Sequence, residues 1–347
     1  MPKLSYRLFG AKDLSRYLPQ CLSRRRLFGL AVTLFLLHYS FSFAAAQIQI
    51  ESLVPRLVRI ETIGGLEKAG GELANTGTTS GVLLDNEGYI ITSAFNFLHN
   101  PSSIILILPD GTRRAAKLIA ADKLRHLTLL KTDTVKTASV LPLPSLPVRS
   151  KDSLIIGERC LAVGVTLSPT QPNVAAGIIS GTDRIWGKAV QTDAAVGPNN
   201  YGGVLADGKG NVIGILVPLS MMSDELIAGA EFYDAGVGMA VPMEDITALL
   251  PKLKAGKDLL PGHTGIRYKD NQTFVGNTVI FQVEPHSPAA LAGITSGDRI
   301  LSIDGKVMRS ALDVTKNLKL RYAGETLQIE YQRNAGTQTV NVTASSE

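Results

Sequence analysis

The run Gln191-Thr-Asp-Ala-Ala-Val-Gly-Pro-Asn-Asn-Tyr-Gly-Gly-Val-Leu205 decides how this chain is read. It leaves one β-prone run at 189–192 and enters another at 203–206 through a loop closed by two glycines, by itself only a turn signal. Two further stretches give it meaning. Gly88-Tyr-Ile-Ile-Thr-Ser-Ala-Phe95-Asn-Phe-Leu98 is a turn followed by a strand, and Asp122-Lys-Leu-Arg-His126-Leu-Thr-Leu-Leu-Lys131 is a loop followed by a strand.

Together these resemble the three active-site segments of chymotrypsin-like serine proteases, and of the HtrA (DegP-type) family in particular. That family carries Gln-Thr-Asp-Ala-Ala-Ile-Asn-Pro-Gly-Asn-Ser-Gly-Gly-Pro-Leu at its nucleophile. Its base lies in Thr-x-Ala-His or Thr-Asn-x-His, and its acid in Asp-x-x-x-Asp-Leu-Ala-Leu-Leu-Lys. The resemblance places Tyr201 at the serine, Phe95 at the histidine and His126 at the aspartate. Gly202 and Gly203 are kept, while Asn199 replaces the glycine two residues before the nucleophile.

The chemistry implied by these replacements is loss of catalysis. A serine hydroxyl attacks when a base takes its proton, and the base works when a carboxylate fixes its tautomer. Phe95 accepts no proton, His126 supplies no fixed negative charge, and Tyr201 is a bulky phenol with no base beside it. The Cβ of Asn199 restricts the backbone that shapes an oxyanion hole. Losing triad members costs a protease on the order of 10⁴ to 10⁶ in turnover. Phe95, Tyr201 and His126 are expected to meet across the junction of two barrels, with the Tyr201 hydroxyl bonded to the imidazole. No cofactor or metal is expected: His99, His263 and His286 lack ligand spacing.

Outward from these motifs the chain alternates short apolar runs and turns. Runs at 57–60, 80–85, 89–93, 104–108, 115–120 and 127–132 read as a six-stranded antiparallel barrel, with Pro109-Asp-Gly-Thr112 as a hairpin turn. A linker at 134–149 holds Pro142, Pro144 and Pro147. A second set of strands follows at 159–163, 174–183, 189–192, 203–206 and 212–218, and 236–242 resembles the family's closing strand. Residues 244–254 read as an amphipathic helix with Ile246, Leu249, Leu250 and Leu253 on one face. The loop 218–235, with Met221, Met222, Phe232 and Tyr233, is expected mainly to pack. Cys160, the one cysteine outside the leader, reads as a buried strand position.

The last ninety or so residues resemble a PDZ domain. A strand at 279–283, the segment Pro285-His-Ser-Pro-Ala-Ala290, Gly297-Asp-Arg-Ile300, a helix at 311–321 and strands at 326–332 and 339–343 carry the likeness. Gly262, His263, Thr264, Gly265 and Ile266 stand at the family's carboxylate-binding loop. Backbone N–H groups there cradle a peptide's carboxylate while the next strand pairs with its backbone. A packing domain with an unused groove is the other reading.

The segment before residue 47 reads differently. Seven basic side chains against Asp13 precede the apolar run 27–43 and Ala44-Ala-Ala46, the pattern of an export signal. Ser23-Arg-Arg25 resembles a twin-arginine signal. The stretch 27–46 is also about long enough to span a bilayer, so an uncleaved N-terminal anchor is the alternative, and membrane contact is expected only then. The remaining 28 basic and 29 acidic residues leave the body near neutral, which gives nucleic acid no electrostatic support.

The expected architecture is thus mostly β: a leader or anchor over 1–46, a chymotrypsin-like double β-barrel over 47–255 and an α+β PDZ domain over 256–347. The expected function is that of an inactive HtrA-like homologue exported to the periplasm or cell envelope. It would bind peptides or C-termini of exported proteins and act as adaptor, chaperone or modulator of an active protease. The resemblance implies a homo-oligomer, a trimer, or a hetero-oligomer with an active paralogue. The alternative is a divergent serine endopeptidase of the same family, acting in protein quality control.

Overall fold

Alternation along the strands sorts their side chains into two layers. In β2 (Gly77–Leu83), β3 (Tyr89–Ser93) and β6 (Leu127–Lys131), the residues Leu83, Ile90 and Leu130 enter one buried cluster. Their neighbours Val82, Ile91 and Leu129 enter another. A computed structural model describes residues 53–64, 77–97, 101–133, 146–220, 235–268 and 276–346. The leader, His99, Pro142, Pro144 and the side chains named above in 221–234 lie outside the described residues.

The first cluster fills a closed antiparallel barrel in the order β1-β2-β3-β6-β5-β4, with β1 (Leu57–Ile63), β4 (Ser103–Ile107) and β5 (Arg113–Asp122) completing it. Its β4–β5 hairpin closes as the sequence predicts. The Leu108 N–H donates to the Thr112 carbonyl at 2.9 Å, and the Gly111 N–H to the Leu108 carbonyl at 2.8 Å.

A second closed barrel has the order β10-β11-β12-β9-β8-β7. Its strands are β7 (Arg159–Gly164), β8 (Asn173–Arg184), β9 (Ala189–Thr192), β10 (Val204–Asp207), β11 (Val212–Leu216) and β12 (Gly238–Pro242). Cys160 is buried in β7, beside the Thr192 hydroxyl at 3.1 Å. The alternation repeats: Ala162, Leu205 and Leu216 fill this barrel, while Val163, Val204 and Ile215 join Val82 and Ile91 in the layer between the barrels. Closure leaves no open sheet edge, and the shared layer locks the pair together.

Helix α1 (Met243–Lys254) follows β12 and buries Ile246 and Leu253 in the shared layer, with Leu249 and Leu250 packed against it. Glu244 and Asp245 in its first turn and Lys252 and Lys254 in its last match the helix dipole.

The C-terminal elements are β13 (Ile266–Arg267), β14 (Gln282–Val283), α2 (Pro288–Leu291), β15 (Arg299–Ile303), β16 (Lys306–Val307), α3 (Ala311–Lys319), β17 (Thr326–Arg333) and β18 (Gly336–Thr343). They enclose their own core of Ile280, Ile300, Val314, Leu327, Ile329 and Tyr331. Helix α3 stops two residues before the expected Arg321, because the Arg321 carbonyl turns outward to accept the Gly262 N–H at 2.8 Å. The strand expected over 279–283 pairs with β13 only at its end, while Val279 bridges Arg299.

Barrel and C-terminal elements belong to one compact unit, Ile50–Glu347. Asp122, at the end of β5, forms an isolated bridge with Leu259, and the Lys123 N–H donates to the Leu259 carbonyl at 2.9 Å. Lys316 of α3 pairs with Asp183 at the end of β8.

Candidate functional site

The loop between β9 and β10 is held by its backbone. The Asn200 and Tyr201 N–H groups both donate to the Gly197 carbonyl, at 2.8 and 3.1 Å. The Tyr201 carbonyl accepts from the Ser80 N–H at 3.0 Å and the Thr79 hydroxyl at 2.7 Å, which fastens the loop to β2 across the barrel junction. Gly202 follows at φ 77°, and a Cβ there would lie 2.0 Å from the Ser80 carbonyl oxygen. Only glycine fits this position. Asp193 braces the adjoining strand: its carboxylate accepts the Ile178 N–H at 2.7 Å.

The Tyr201 side chain is 2% exposed and packs among Val196, Leu205 and Ile213 in the second barrel's core. Burial pushes its phenol up to about 12, so it is neutral at physiological pH. Phe95 lies in a short 3-10 turn, Ala94–Phe97, tied down by the Ala94 N–H donating to the His126 carbonyl at 2.8 Å. The Phe95 and Tyr201 ring centroids are 5.1 Å apart and their planes tilt by 60°, a favourable aromatic arrangement.

His126 departs from the expected cluster. It is buried, with a left-handed backbone at φ 56°, and lines a cavity shared with Lys123, Lys188, Gly262 and His263. No hydrogen bond joins the Tyr201 hydroxyl to its imidazole among the described residues. Two of the three rings meet, and the third faces the C-terminal elements. Asn199 is exposed, and its carbonyl accepts from the Thr166 hydroxyl at 2.5 Å and the Asn173 side-chain amide at 2.8 Å. Ser80 and Ser93, which flank these groups, are spent on backbone: they accept the Val165 N–H at 2.8 Å and the Phe95 N–H at 3.2 Å.

The second candidate site is a groove between β13 and α3, with a cavity of about 420 Å³. Gly262, His263, Thr264, Gly265 and Ile266 line it on one side, and Thr315, Leu318 and Lys319 on the other. Gly265, at φ 81°, approaches Ser287 so closely that a Cβ would lie 2.2 Å from its hydroxyl. The Gly262 and His263 N–H groups are occupied, donating to the Arg321 and Ser345 carbonyls at 2.8 Å each. Those of Thr264 and Gly265 donate to no group among the described residues, and both residues line the cavity. Beside the loop, Glu284 accepts from His263 Nε2 at 2.5 Å and from Arg267. Burial works to raise its carboxyl, but these bonds prevail and hold it below the usual range.

Sequence reasoning missed Trp186. It belongs to the short turn Ile185–Gly187 between β8 and β9, has φ 61°, and lines the groove from the barrel side. Its only signal was its rarity, since it is the single tryptophan of the chain.

The fold and the two sites define a chymotrypsin-like double barrel carrying a peptide-groove module of PDZ type. The trypsin-like peptidase domain family matches residues 79–215, and the PDZ domain family matches residues 262–344. The chain thus carries a trypsin-like peptidase domain followed by a PDZ domain, and its likeness is to HtrA-type serine proteases. It is similar to the serine endoprotease DegS of Salmonella typhimurium, 28% identical over 320 residues that cover 88% of this chain and 85% of that one. The Do-like serine protease HtrA of Lactococcus lactis subsp. lactis is 27% identical over 314 residues, covering 80% and 74%. Among solved structures, the serine endoprotease from Yersinia pestis is 26% identical with a TM-score of 0.62, covering 86% of this chain and 97% of that one.

Proposed function

We propose that this protein is a non-catalytic member of its family, a pseudoprotease of the cell envelope that binds peptides or the C-termini of exported proteins through its PDZ groove. The observation that carries the proposal is the packing of Tyr201 against Phe95: where the resemblance has nucleophile and base, two aromatic rings lie 5.1 Å apart. A second observation supports it. The Tyr201 N–H, which an oxyanion hole would direct at substrate, is spent on the Gly197 carbonyl. Ser80 and Ser93 have no base beside them in their described bonds.

The groove supports the binding half of the proposal. Two backbone donors with no acceptor among the described residues, a strand edge and an apolar wall at Leu318 and Ile266 suit strand addition of a peptide end. In this reading 1–46 is the export leader or anchor, 47–255 the inactive scaffold and 256–347 the binding module. The protein serves as adaptor, chaperone or modulator of an active relative, in homo- or hetero-oligomers.

The test is digestion of a denatured protein substrate by the native chain and by the triple variant Phe95→His, His126→Asp, Tyr201→Ser. Absence of cleavage by the native chain is the expected result, and cleavage gained by the triple variant would show a scaffold that lost only its chemistry. Cleavage by the native chain that survives Tyr201→Ala would overturn the proposal.

A further inference from the structure

The two closed barrels expose no strand edge, and most strands outside them are too short to offer one. Strands β13, β14 and β16 have two residues each, and β16 carries Lys306. Strand β18, Gly336-Thr-Gln-Thr-Val-Asn-Val-Thr343, differs: it ends the sheet β16-β15-β17-β18 and runs its full length along β17 with no shift of register. It has no charged residue, no proline and no bulge, the devices that keep an open edge from pairing. All its residues except Val340 and Val342 are exposed.

The direction of its free backbone groups follows from its neighbour. Gln328 of β17 spends both backbone groups on Asp304: its N–H donates to the Asp304 carboxylate at 2.9 Å, and its carbonyl accepts the Asp304 N–H at 2.8 Å. Asn341, opposite Gln328, therefore turns its own N–H and carbonyl away from β17, and alternation extends this to Thr337, Thr339 and Thr343. None of these four N–H groups donates to another described residue. The next residue of the series, Ser345, shows that this edge can pair. Its N–H donates to the His263 carbonyl at 2.9 Å, and its carbonyl accepts the His263 N–H at 2.8 Å.

We propose that β18 pairs antiparallel with β18 of a second copy of this chain, joining two sheets across a twofold axis at Val340. In that register the outward residues meet: Thr337 faces the partner's Thr343 and Thr339 faces the partner's Asn341, each pair exchanging two backbone bonds. The strand suits itself as partner, because without charges no like charges oppose and its β-branched and amide side chains meet others of the same kind. The short helix α2, which packs beside β18, ends in Leu291, and at 80% exposure this puts an apolar side chain near the open edge. One strand edge buries less than the roughly 800 Å² per partner of a standard interface, so the pair forms and parts with concentration. The inference is independent of the peptide-groove reading, since no β18 residue lines the groove.

The experiment is sedimentation velocity of the full chain over a range of concentrations, beside the edge-blocked variant Thr339→Pro. A proline whose missing N–H lies on the open side leaves the β17 ladder intact. The native chain should reach twice the mass of the variant, whose association midpoint should move up about tenfold. A charge swap keeps the test valid should the proline variant fail to fold: Thr339→Lys and Asn341→Glu should each weaken association alone and restore it together, because the axis sets one against the other. Hydrogen exchange reads the edge directly, and protection at Thr337, Thr339 and Asn341 should rise with concentration.

Equal masses for the native chain and a folded Thr339→Pro at every concentration would overturn the inference. Protection of these amides that does not vary with concentration would overturn it too, since a segment of the same chain would then cover the edge. Failure of the paired charge variant to recover what the single ones lose would have the same force.

Discussion

The Tyr322 hydroxyl donates a 2.7 Å hydrogen bond to the Asp122 carboxylate, joining two residues 200 positions apart. Arg125 donates to the same hydroxyl, and the Asp122 carboxylate also accepts the Leu124 and Arg125 N–H groups at 3.0 and 3.1 Å. Asp122 closes the last strand-to-loop corner of the first barrel, and Tyr322 lies between α3 and β17. The bond therefore stitches the barrel to the PDZ elements through a buried, nearly saturated carboxylate.

Removing that hydroxyl tests the stitch. Burial raises the Asp122 carboxyl above its usual range, and the Tyr322 and Arg125 bonds offset only part of the rise. With the folded value above the unfolded one, Asp122 binds its proton more tightly in the folded chain, and stability falls as pH rises through that interval. Tyr322→Phe strips away a bond that favours the charged form. It should cost about 1–2 kcal/mol at neutral pH and less once Asp122 is protonated. Urea denaturation of both proteins at neutral and at mildly acidic pH reads the difference.

Gly202 and Gly157 separate steric need from turn preference. Both have positive φ, 77° and 90°, but a Cβ at Gly202 meets the Ser80 carbonyl at 2.0 Å while one at Gly157 meets nothing within 4 Å. Gly157→Ala should cost about 1 kcal/mol, the left-handed penalty alone. Gly202→Ala should cost about 3 kcal/mol or more, because a backbone clash across the barrel junction adds to it. Equal melting points for the two variants would contradict the tight fastening of the loop.

The buried phenol of Tyr201 carries a pH signature. Its folded value of about 12 stands above the ordinary 10.0, so the neutral form is the one the folded chain favours. The associated stability is fully present below the unfolded value and is lost as pH rises through the folded one. Tyr201→Phe should flatten that loss. Stability curves of native and variant chains should thus separate at high pH, the native falling while the variant does not, and parallel curves would show that the ring is more open to water than its packing implies.

Trp186 offers a direct reporter of the groove. As the chain's single tryptophan, half-buried against the peptide cavity, its emission should shift or quench when a peptide with a free carboxyl end binds. The same peptide with an amidated end should leave the signal near baseline, since the Thr264 and Gly265 donors then lose their anion. Gly265→Ala, which places a Cβ against Ser287, should abolish the response to the peptide with the free carboxyl end.

Much of this molecule was legible in linear order. Period-two alternation such as Val82-Leu83, Ile90-Ile91 and Leu129-Leu130 determines that each strand has two buried faces, and two such sets with short turns determine two barrels. The loop around Tyr201 and the pair Phe95 and Tyr201 were readable too, because their neighbours keep a recognisable pattern. The tertiary structure alone decided where side chains from distant segments converge. That His126, on a left-handed backbone, lines a cavity with Gly262 and His263 is visible only in the packed chain. Residues as scattered as Lys123, Lys188, Trp186 and Lys319 become neighbours only when strands and helix pack, since linear spacing encodes the faces of single elements and carries no record of which loops the packing brings together.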